Sequence, residues 1–356
     1  MQPLRYIVLG AGGIAHAHVD GFSKLEQVTP VGFCDVNADA LRRWKERFPQ
    51  AEIDHDPAKL LARTNPDIVS VCSPNVAHHE HVIAALRAGA HVLCEKPMAM
   101  NLAQAQQMES ARQAARKLGA INFSYRHNPS FRFARELVRD GEIGRVHRVN
   151  VRYLQGWMAA ETARFAWRYD AAVAGFGTVG DLGVHMLDGV AFVTGLKPRR
   201  LVGMTRVLIP SRPDHDGKPR VVTADTHANF LVDYDGDALG TFETSQATPG
   251  YGNHFVMEVS GDRGVLRFSS EDGENITLYA GRSISRFSTW KREEFPRFNI
   301  PSDFINRQPK STMEVFVRAI RGEQVEYASF ADGVAAQKCL EAITESIQTG
   351  AWANVS

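Results

Sequence analysis

Arg5-Tyr6-Ile7-Val8-Leu9-Gly10-Ala11-Gly12-Gly13-Ile14-Ala15 is a strand-like run that breaks into a glycine turn, after which Val19, Phe22 and Leu25 recur at helical spacing. Each small residue has a use in a strand–turn–helix unit. Gly10 allows the tight turn, Gly12 lets the backbone approach a pyrophosphate, and Ala15, where a third glycine is usual, still permits close packing of helix on strand. The helix start, with Gly13 and Ile14 among the predicted cofactor contacts, offers amide donors and a partial positive charge to phosphates. A GxGxxG pattern alone is weak, so the context matters. Here a second apolar run, Val31-Gly32-Phe33-Cys34, ends in Asp35, 20 residues beyond Ala15. A carboxylate at that place accepts hydrogen bonds from an adenosine ribose and repels a 2′-phosphate, which favours NAD over NADP.

The alternation continues outward with a helix over 41–48, a buried strand over 66–72, a helix over 78–88 and a strand over 91–94. Strand and helix alternating at this pace predict right-handed βαβ units and a mostly parallel sheet. Ligands of such sheets bind at the carboxyl ends of the strands. Ser73-Pro74-Asn75 and Glu95-Lys96-Pro97 both fall at that edge. Asn75 either contacts the cofactor or caps the next helix. Pro97 biases Lys96 away from helical angles, so the strand should stop there and present one amine, either as a catalytic group or as a surface Lys-Pro turn. His78, His79 and His81 invite a metal reading, but no second cluster completes a site, so none is assigned and His78 is placed beside the cofactor. His16 and His18, two apart on the first helix, point nearly opposite ways and cannot share a ligand through it.

Beyond the strand predicted at 120–123 the texture changes, and the domain boundary is set there: 1–123 and 124–356. A helix over 129–139 precedes strand-like runs at 146–154, 201–208, 224–234, 238–246, 255–260, 265–268 and 276–279. Turn sequences at 235–237 and 261–264 predict a large, mostly antiparallel sheet. Residues 210–220 read as an exposed loop, and 304–321 and 331–349 as helices that can pack back on the first domain. In Gly177-Thr178-Val179-Gly180-Asp181-Leu182-Gly183-Val184-His185-Met186-Leu187-Asp188, the residues Asp181, His185 and Asp188 are predicted to share one helix face. That face fits an acid/base site, a metal site or a buried polar network. Trp167 and Arg168 supply an aromatic plane and a guanidinium, a mixture that binds sugars but also occurs as ordinary packing.

Composition removes several classes of function. The 41 basic and 40 acidic side chains leave a net charge of +1 with no basic block, which argues against a nucleic-acid partner. No apolar run approaches the length of a membrane helix. Four dispersed cysteines show no metal or redox spacing, and no secretory layout is seen at residues 1–9, so a cytoplasmic protein with reduced thiols is expected.

Three motifs in one order, GAGGIA at 10–15, AGAHVLCEKP at 88–97, and WR at 167–168 followed by GxxxDxGxHxxD at 177–188, make the chain similar to the glucose-fructose oxidoreductase and inositol dehydrogenase (Gfo/Idh/MocA) family. The resemblance implies an α/β Rossmann domain followed by an α+β domain on a large open sheet, a homodimer or homotetramer assembled through that sheet, and a cis Pro97. It also implies that Lys96, Asp181 and His185 are catalytic; Glu95 and Lys96, at one strand end, are also placed among the cofactor contacts. Tyr125, Arg126 and Asn128 fall where the family often places substrate contacts, and Trp167 and Arg168 join them as candidate substrate residues. The reaction implied is hydride transfer between NAD and a secondary hydroxyl of a sugar, sugar derivative or cyclic polyol. Alternatives are an oxidation and rereduction cycle on a glycoside with retained NAD, or a cofactor-binding sensor without turnover. One departure is Gly175-Phe176-Gly177, where many members have three glycines, so the phenyl ring is expected to reshape the substrate pocket.

Overall fold

Strand and helix alternate from the amino terminus to residue 121: β1 (Leu4–Leu9), α1 (Gly13–Ser23), β2 (Val28–Cys34), α2 (Ala38–Arg47), β3 (Glu52–Asp54), α3 (Pro57–Thr64), β4 (Ile68–Val71), α4 (Asn75–Arg87), β5 (His91–Cys94), α5 (Leu102–Ala115) and β6 (Gly119–Ile121). The computed structural model describes residues 3–271, 275–280 and 297–355. The six strands pair in parallel in the order β3-β2-β1-β4-β5-β6. Their order reverses between β1 and β4, which opens a ligand crevice at the carboxyl ends of those two strands. Buried Tyr6, Val8, Phe22, Phe33 and Trp44 form the core of this layer.

Helix starts in this sheet fall into two kinds. Asn37, Asp56 and Asn101 cap α2, α3 and α5 through their side chains, satisfying the first free amides. No side chain caps α1 or α4, and these two follow β1 and β4 directly.

After a 3₁₀ turn at Ser124–His127, the chain continues through α6 (Pro129–Arg139), β7 (Val146–Leu154), a 3₁₀ turn at Trp167–Tyr169, α7 (Ala171–Ala174), a π turn at Val179–Gly183 and α8 (Val184–Thr194). Then come β8 (Pro198–Arg206), β9 (Ser211–Pro213), β10 (Pro219–Val221), β11 (His227–Tyr234), β12 (Leu239–Ser245), β13 (His254–Gly261), β14 (Gly264–Ser269), β15 (Asn275–Ala280) and β16 (Arg297–Asn299). The chain ends with α9 (Ser302–Arg307), α10 (Thr312–Ile320), α11 (Phe330–Thr349) and β17 (Ala353–Asn354). Among the described residues, nine strands form one sheet in the order β16-β15-β14-β13-β7-β12-β11-β8-β17. Only the β12–β7 pair is parallel; the others are antiparallel, in line with the expected sheet.

On β7 the period of two is clear: Val149, Val151 and Tyr153 are buried, while Arg148 and Arg152 face outward and pair with Glu258 and Glu243. Helix α8 approaches the inner face closely at Gly189, where an added Cβ would lie 3.1 Å from both Met257 and Phe131. On the outer face Met204, Leu231 and Leu239 are exposed.

By density of contact the chain forms two units. The first takes Met1–Phe123, Ala172–Gly175 and Pro309–Gln337, and the second takes Ser124–Ala171, Phe176–Gln308 and Lys338–Ser356. In the first unit α10 joins the core through Met313, Phe316 and Val317, and the Phe330 ring fills the space beside Gly119, where a Cβ would meet it at 2.7 Å.

Two local expectations are corrected. Residues 210–220 are not a plain exposed loop: β9 and β10 pair antiparallel, and Arg212 is 1% exposed, its guanidinium donating to the carbonyls of Met158 and Ala160. Polar composition misled because the arginine's partners lie more than 50 residues away. Residues 304–321 are two helices, since Pro309 has no amide to continue α9 and Ser311 caps the start of α10.

Candidate active site

The first unit brings four turns to the carboxyl edge of its parallel sheet. Gly10 has φ +89°, and a Cβ there would lie 2.3 Å from the amide nitrogen of Ser73, so only glycine lets the β1 turn lie against the β4 turn. Gly12 and Gly13 have no atom within 4 Å of a Cβ position, leaving space over the uncapped start of α1. That combination fits a dinucleotide pyrophosphate, with the open amide end of α1 supplying donors. Ile14 is 39% exposed beside it. Asp35 directly follows β2, and its carboxylate accepts the Asn37 amide at 2.8 Å.

Around the β4 turn, several predicted contacts serve the turn itself. His78 is fully buried with its ring nitrogens 2.9 Å from Ser73 O and 3.0 Å from Pro97 O, so it ties the β4 turn to the β5 end. Burial pushes its imidazolium down. The Ser73 hydroxyl meets His81 Nδ1 at 3.0 Å. Pro74 stands at the N-cap of α4, and the buried Asn75 amide donates to Ala174 O at 2.7 Å.

Lys96 is half-buried at the end of β5, followed by a cis bond to Pro97. Its backbone amide donates to Glu95 Oε2 at 3.2 Å. Glu95 Oε1 accepts from His18 Nε2 at 2.7 Å and from Asn122 Nδ2 at 2.7 Å, while His18 Nδ1 meets the Ser70 hydroxyl at 2.5 Å. All of these groups are buried. Burial pushes the His18 imidazolium down, but Cys72 and Glu95 outweigh it and hold it well above its ordinary value. Burial likewise opposes the Glu95 carboxylate, and the His18 bond keeps it low. Glu95 is thus occupied by protein partners. Nothing in the sequence near His18 announced this, because its partner stands 77 residues away.

The second unit assembles its polar groups on one end of α8. Asp181 lies in the π turn and His185 in the first turn of α8, so the predicted continuous α-helical face is wound differently over 179–183. The start of this turn is tightly built. Asp225 accepts the amides of Gly177 at 3.0 Å and Val179 at 3.2 Å, and a Cβ on Gly177 would meet Asp225 O at 2.0 Å. Phe176 packs against Gly180, where a Cβ would come within 2.4 Å of it.

Asp181 Oδ2 accepts the Gln246 amide at 2.5 Å. The His185 ring, 6% exposed, meets the Tyr125 ring edge-on at 5.1 Å between centroids, with Tyr153 at 6.4 Å. The two hydroxyls of Tyr125 and Tyr153 are 2.7 Å apart. Burial raises the pKa of each phenol, so both keep their protons at neutral pH. Asp188 turns elsewhere and makes a buried bidentate pair with Arg126, at 2.6 and 3.0 Å. Of the readings open for the 181–188 face, Asp188 therefore serves a buried network.

The remaining predicted substrate residues are placed as follows. Asn128 caps α6, accepting the Ser130 amide at 2.9 Å. Trp167 and Arg168 are half-buried, with the guanidinium 4.3 Å from the indole centre. Tyr125 lies against His185, whereas Arg126 is committed to Asp188. Tyr153, Gln246 and Asn253 were not foreseen. For Tyr153 a signal existed, since the alternation of β7 puts it on the inner face with Val149 and Val151. Among the described residues no three His, Cys, Asp or Glu side chains gather to hold a metal, and no helix is long and apolar enough to cross a membrane.

Comparison with known proteins shows the family and the fold of the chain. Residues 4–124 match the model of an oxidoreductase family with an NAD-binding Rossmann fold, and residues 131–267 match a GFO/IDH/MocA C-terminal domain. Among curated proteins, D-glucoside 3-dehydrogenase of Escherichia coli is 28% identical over 361 residues, covering 98% of this chain and 97% of that protein. Levoglucosan dehydrogenase of Pseudarthrobacter phenanthrenivorans is 25% identical, covering 100% of this chain and 99% of that protein. Among solved structures, an oxidoreductase domain protein from Kribbella flavida superposes with a TM-score of 0.88 at 30% identity, over the full length of both chains.

Proposed function

Because the chain belongs to the GFO/IDH/MocA oxidoreductase family and carries its NAD-binding Rossmann domain, we propose that it oxidises a secondary hydroxyl of a sugar, a sugar derivative or a cyclic polyol with NAD. The observation that carries the reading is the histidine of α8, packed beside a hydrogen-bonded pair of protonated tyrosines and one turn from a carboxylate that a glutamine fixes in place. When bound, NAD supplies the hydride acceptor. Every other demand of the reaction falls on the protein: the hydroxyl must lose its proton as its carbon loses hydride. His185 takes that proton near neutral pH. Lys96 hydrogen-bonds the same oxygen and stabilises its developing negative charge, an electrostatic role that requires an ammonium rather than a free amine. Asp181 orients the substrate or the imidazole, and Trp167 and Arg168 bind the sugar. In the first unit, Gly10, Gly12, Gly13 and Ile14 cradle the pyrophosphate, Asp35 holds the adenosine ribose, and Ser73, Pro74 and Asn75 line the edge.

The relatives support the substrate class, since the two curated ones act, by name, on a glucoside and on levoglucosan. We further propose a cytoplasmic homodimer or homotetramer. The cytoplasmic part is supported by four free, buried cysteines, and the assembly by the exposed apolar residues Met204, Leu231 and Leu239 on the outer sheet face.

A panel of aldoses, anhydrosugars, disaccharides, inositols and sugar acids, offered with NAD and with NADP and followed by reduced-nicotinamide absorbance, tests the reading. On the best substrate, Lys96→Ala and His185→Ala should each lose at least about 100-fold in kcat with cofactor affinity largely kept. Full activity in either variant overturns the assigned roles.

A further inference from the structure

Trp157 is 48% exposed, yet its indole is held at its polar edge. Its Nε1–H donates to Gln155 Oε1 at 2.7 Å. The Gln155 amide donates in turn to Asn253 Oδ1 at 2.7 Å and to the Tyr153 hydroxyl at 3.3 Å, and Asn253 Nδ2 donates to the Tyr125 hydroxyl at 2.8 Å. The tyrosines in this network are the pair beside His185.

The backbone is fixed just as closely. The Gln155 amide donates to Ser245 O at 2.8 Å and the Met158 amide to Gln246 O at 2.9 Å. Gln246 is the residue whose side chain holds Asp181. Between them, Gly156 passes so near the 248–251 turn that a Cβ would lie 2.8 Å from Thr248 O and 2.9 Å from Tyr251 O. The carbonyl of Met158 is gripped from below by Arg212.

An aromatic ring fixed at its polar edge and open on its apolar surface is pre-organised, so a ligand stacking on it bears little ordering cost. Its only donor is already used, so it offers the ligand apolar area without hydrogen-bond direction. The reacting hydroxyl belongs at His185, and the indole lies two hydrogen-bonded steps from the tyrosine beside it. Only the far part of a substrate reaches that distance.

We propose that Trp157 is the platform of an outer subsite that stacks on a second ring carried by the substrate, so that this enzyme prefers ring-bearing glycosides to simple monosaccharides. The proposal rests on the sugar dehydrogenase reading above and names its substrate class. It is tested by calorimetry of the NADH-saturated protein, in which the sugar binds without being oxidised, with glucose, methyl glucoside and phenyl glucoside, each glucoside as both anomers.

Phenyl glucoside should bind about 10-fold more tightly than methyl glucoside, the order expected for one aromatic stacking contact. Trp157→Ala should abolish that preference while leaving methyl glucoside within about threefold, and Trp157→Phe should keep most of it. No preference in the wild type, or an undiminished one in Trp157→Ala, overturns the subsite. So does a change in sedimentation mass in Trp157→Ala, which would mean that a second copy of the chain covers the indole. Binding preference without cofactor reduction on any sugar of the wider panel would instead sink the dehydrogenase reading and leave the subsite standing.

Discussion

Each unit buries one ion pair next to a proposed catalytic residue, and the two pairs are built from different chemistry. In the first unit His18 and Glu95 meet at 2.7 Å, and the second carboxylate oxygen takes the backbone amide of Lys96. In the second, Arg126 and Asp188 meet at 2.6 Å, with Asp188 three residues beyond His185 and Arg126 next to Tyr125. A guanidinium does not lose its proton in any ordinary buffer, whereas an imidazole does. The arginine pair is therefore a fixed strut three residues from the histidine that, on the proposed mechanism, exchanges protons. The histidine pair sits under a lysine that, on the proposed mechanism, only has to stay charged and still. A proton-exchanging residue is best supported by a partner that cannot titrate with it.

The largest test of this contrast is to cut the fixed strut. Asp188→Ala leaves the Arg126 charge buried without its partner and should cost about 3–5 kcal/mol of stability. Asp188→Asn keeps an acceptor for the guanidinium and should recover part of that loss. Denaturant unfolding of both variants, with the wild type alongside, provides the comparison. Equal and negligible losses would show that the pair is not the strut of its unit.

A smaller effect, with a pH signature, is expected in the other unit. His18→Asn keeps a donor beside Glu95 but removes the charge, and should cost about 2 kcal/mol near pH 6. The pKa of His18 is raised in the fold, so its contribution is complete below its ordinary value of 6.5 and fades as the pH climbs towards about 10. The pKa of Glu95 is lowered, so its share is present above 4.5 and is lost as the pH falls towards about 2. Melting temperatures of wild type and His18→Asn should therefore differ most between about pH 5 and 6.5 and converge in alkali. A gap that stays constant to pH 10 would refute the charged pair.

These two pairs also mark where sequence reading succeeds and stops. The glycine turn, Asp35, and the strand ends at Ser73 and Lys96 were legible because each depends on local chemistry: a positive φ, a helix start, a proline. The large sheet was legible through the period of two on runs such as 146–154. Partners were not. His18 finds Glu95 across 77 residues, and Arg126 finds Asp188 across 62, so spacing along the chain carries no trace of either. The π turn at Val179–Gly183 was also invisible, because its composition suits an α-helix, and the wider winding comes with the close approach of Asp225 to Gly177. Arg212 misled for the same reason: its polarity spoke for solvent, and its carbonyl partners lay elsewhere in the sequence.

The smallest expected effect concerns Asp35, and it sharpens the contrast by separating cofactor choice from sugar choice. The carboxylate directly follows β2 and accepts the Asn37 amide at 2.8 Å, which fixes it at the sheet edge where the adenosine ribose is proposed to lie. On the proposed reading, selectivity against NADP would come from repulsion of the 2′-phosphate by this carboxylate at an accessible site, where screening keeps such terms modest. Asp35→Ser removes the charge while a hydroxyl can still accept the Asn37 amide. The ratio of kcat/KM for NADP over NAD should rise about 10-fold, worth about 1.4 kcal/mol, with the sugar KM unchanged at saturating cofactor. A Trp157 variant should do the reverse, shifting preference among glycosides and leaving the cofactor ratio alone. If Asp35→Ser moves the sugar KM as strongly as the cofactor ratio, then the two units do not divide recognition between them, and Asp35 acts by holding the strand end rather than by its charge.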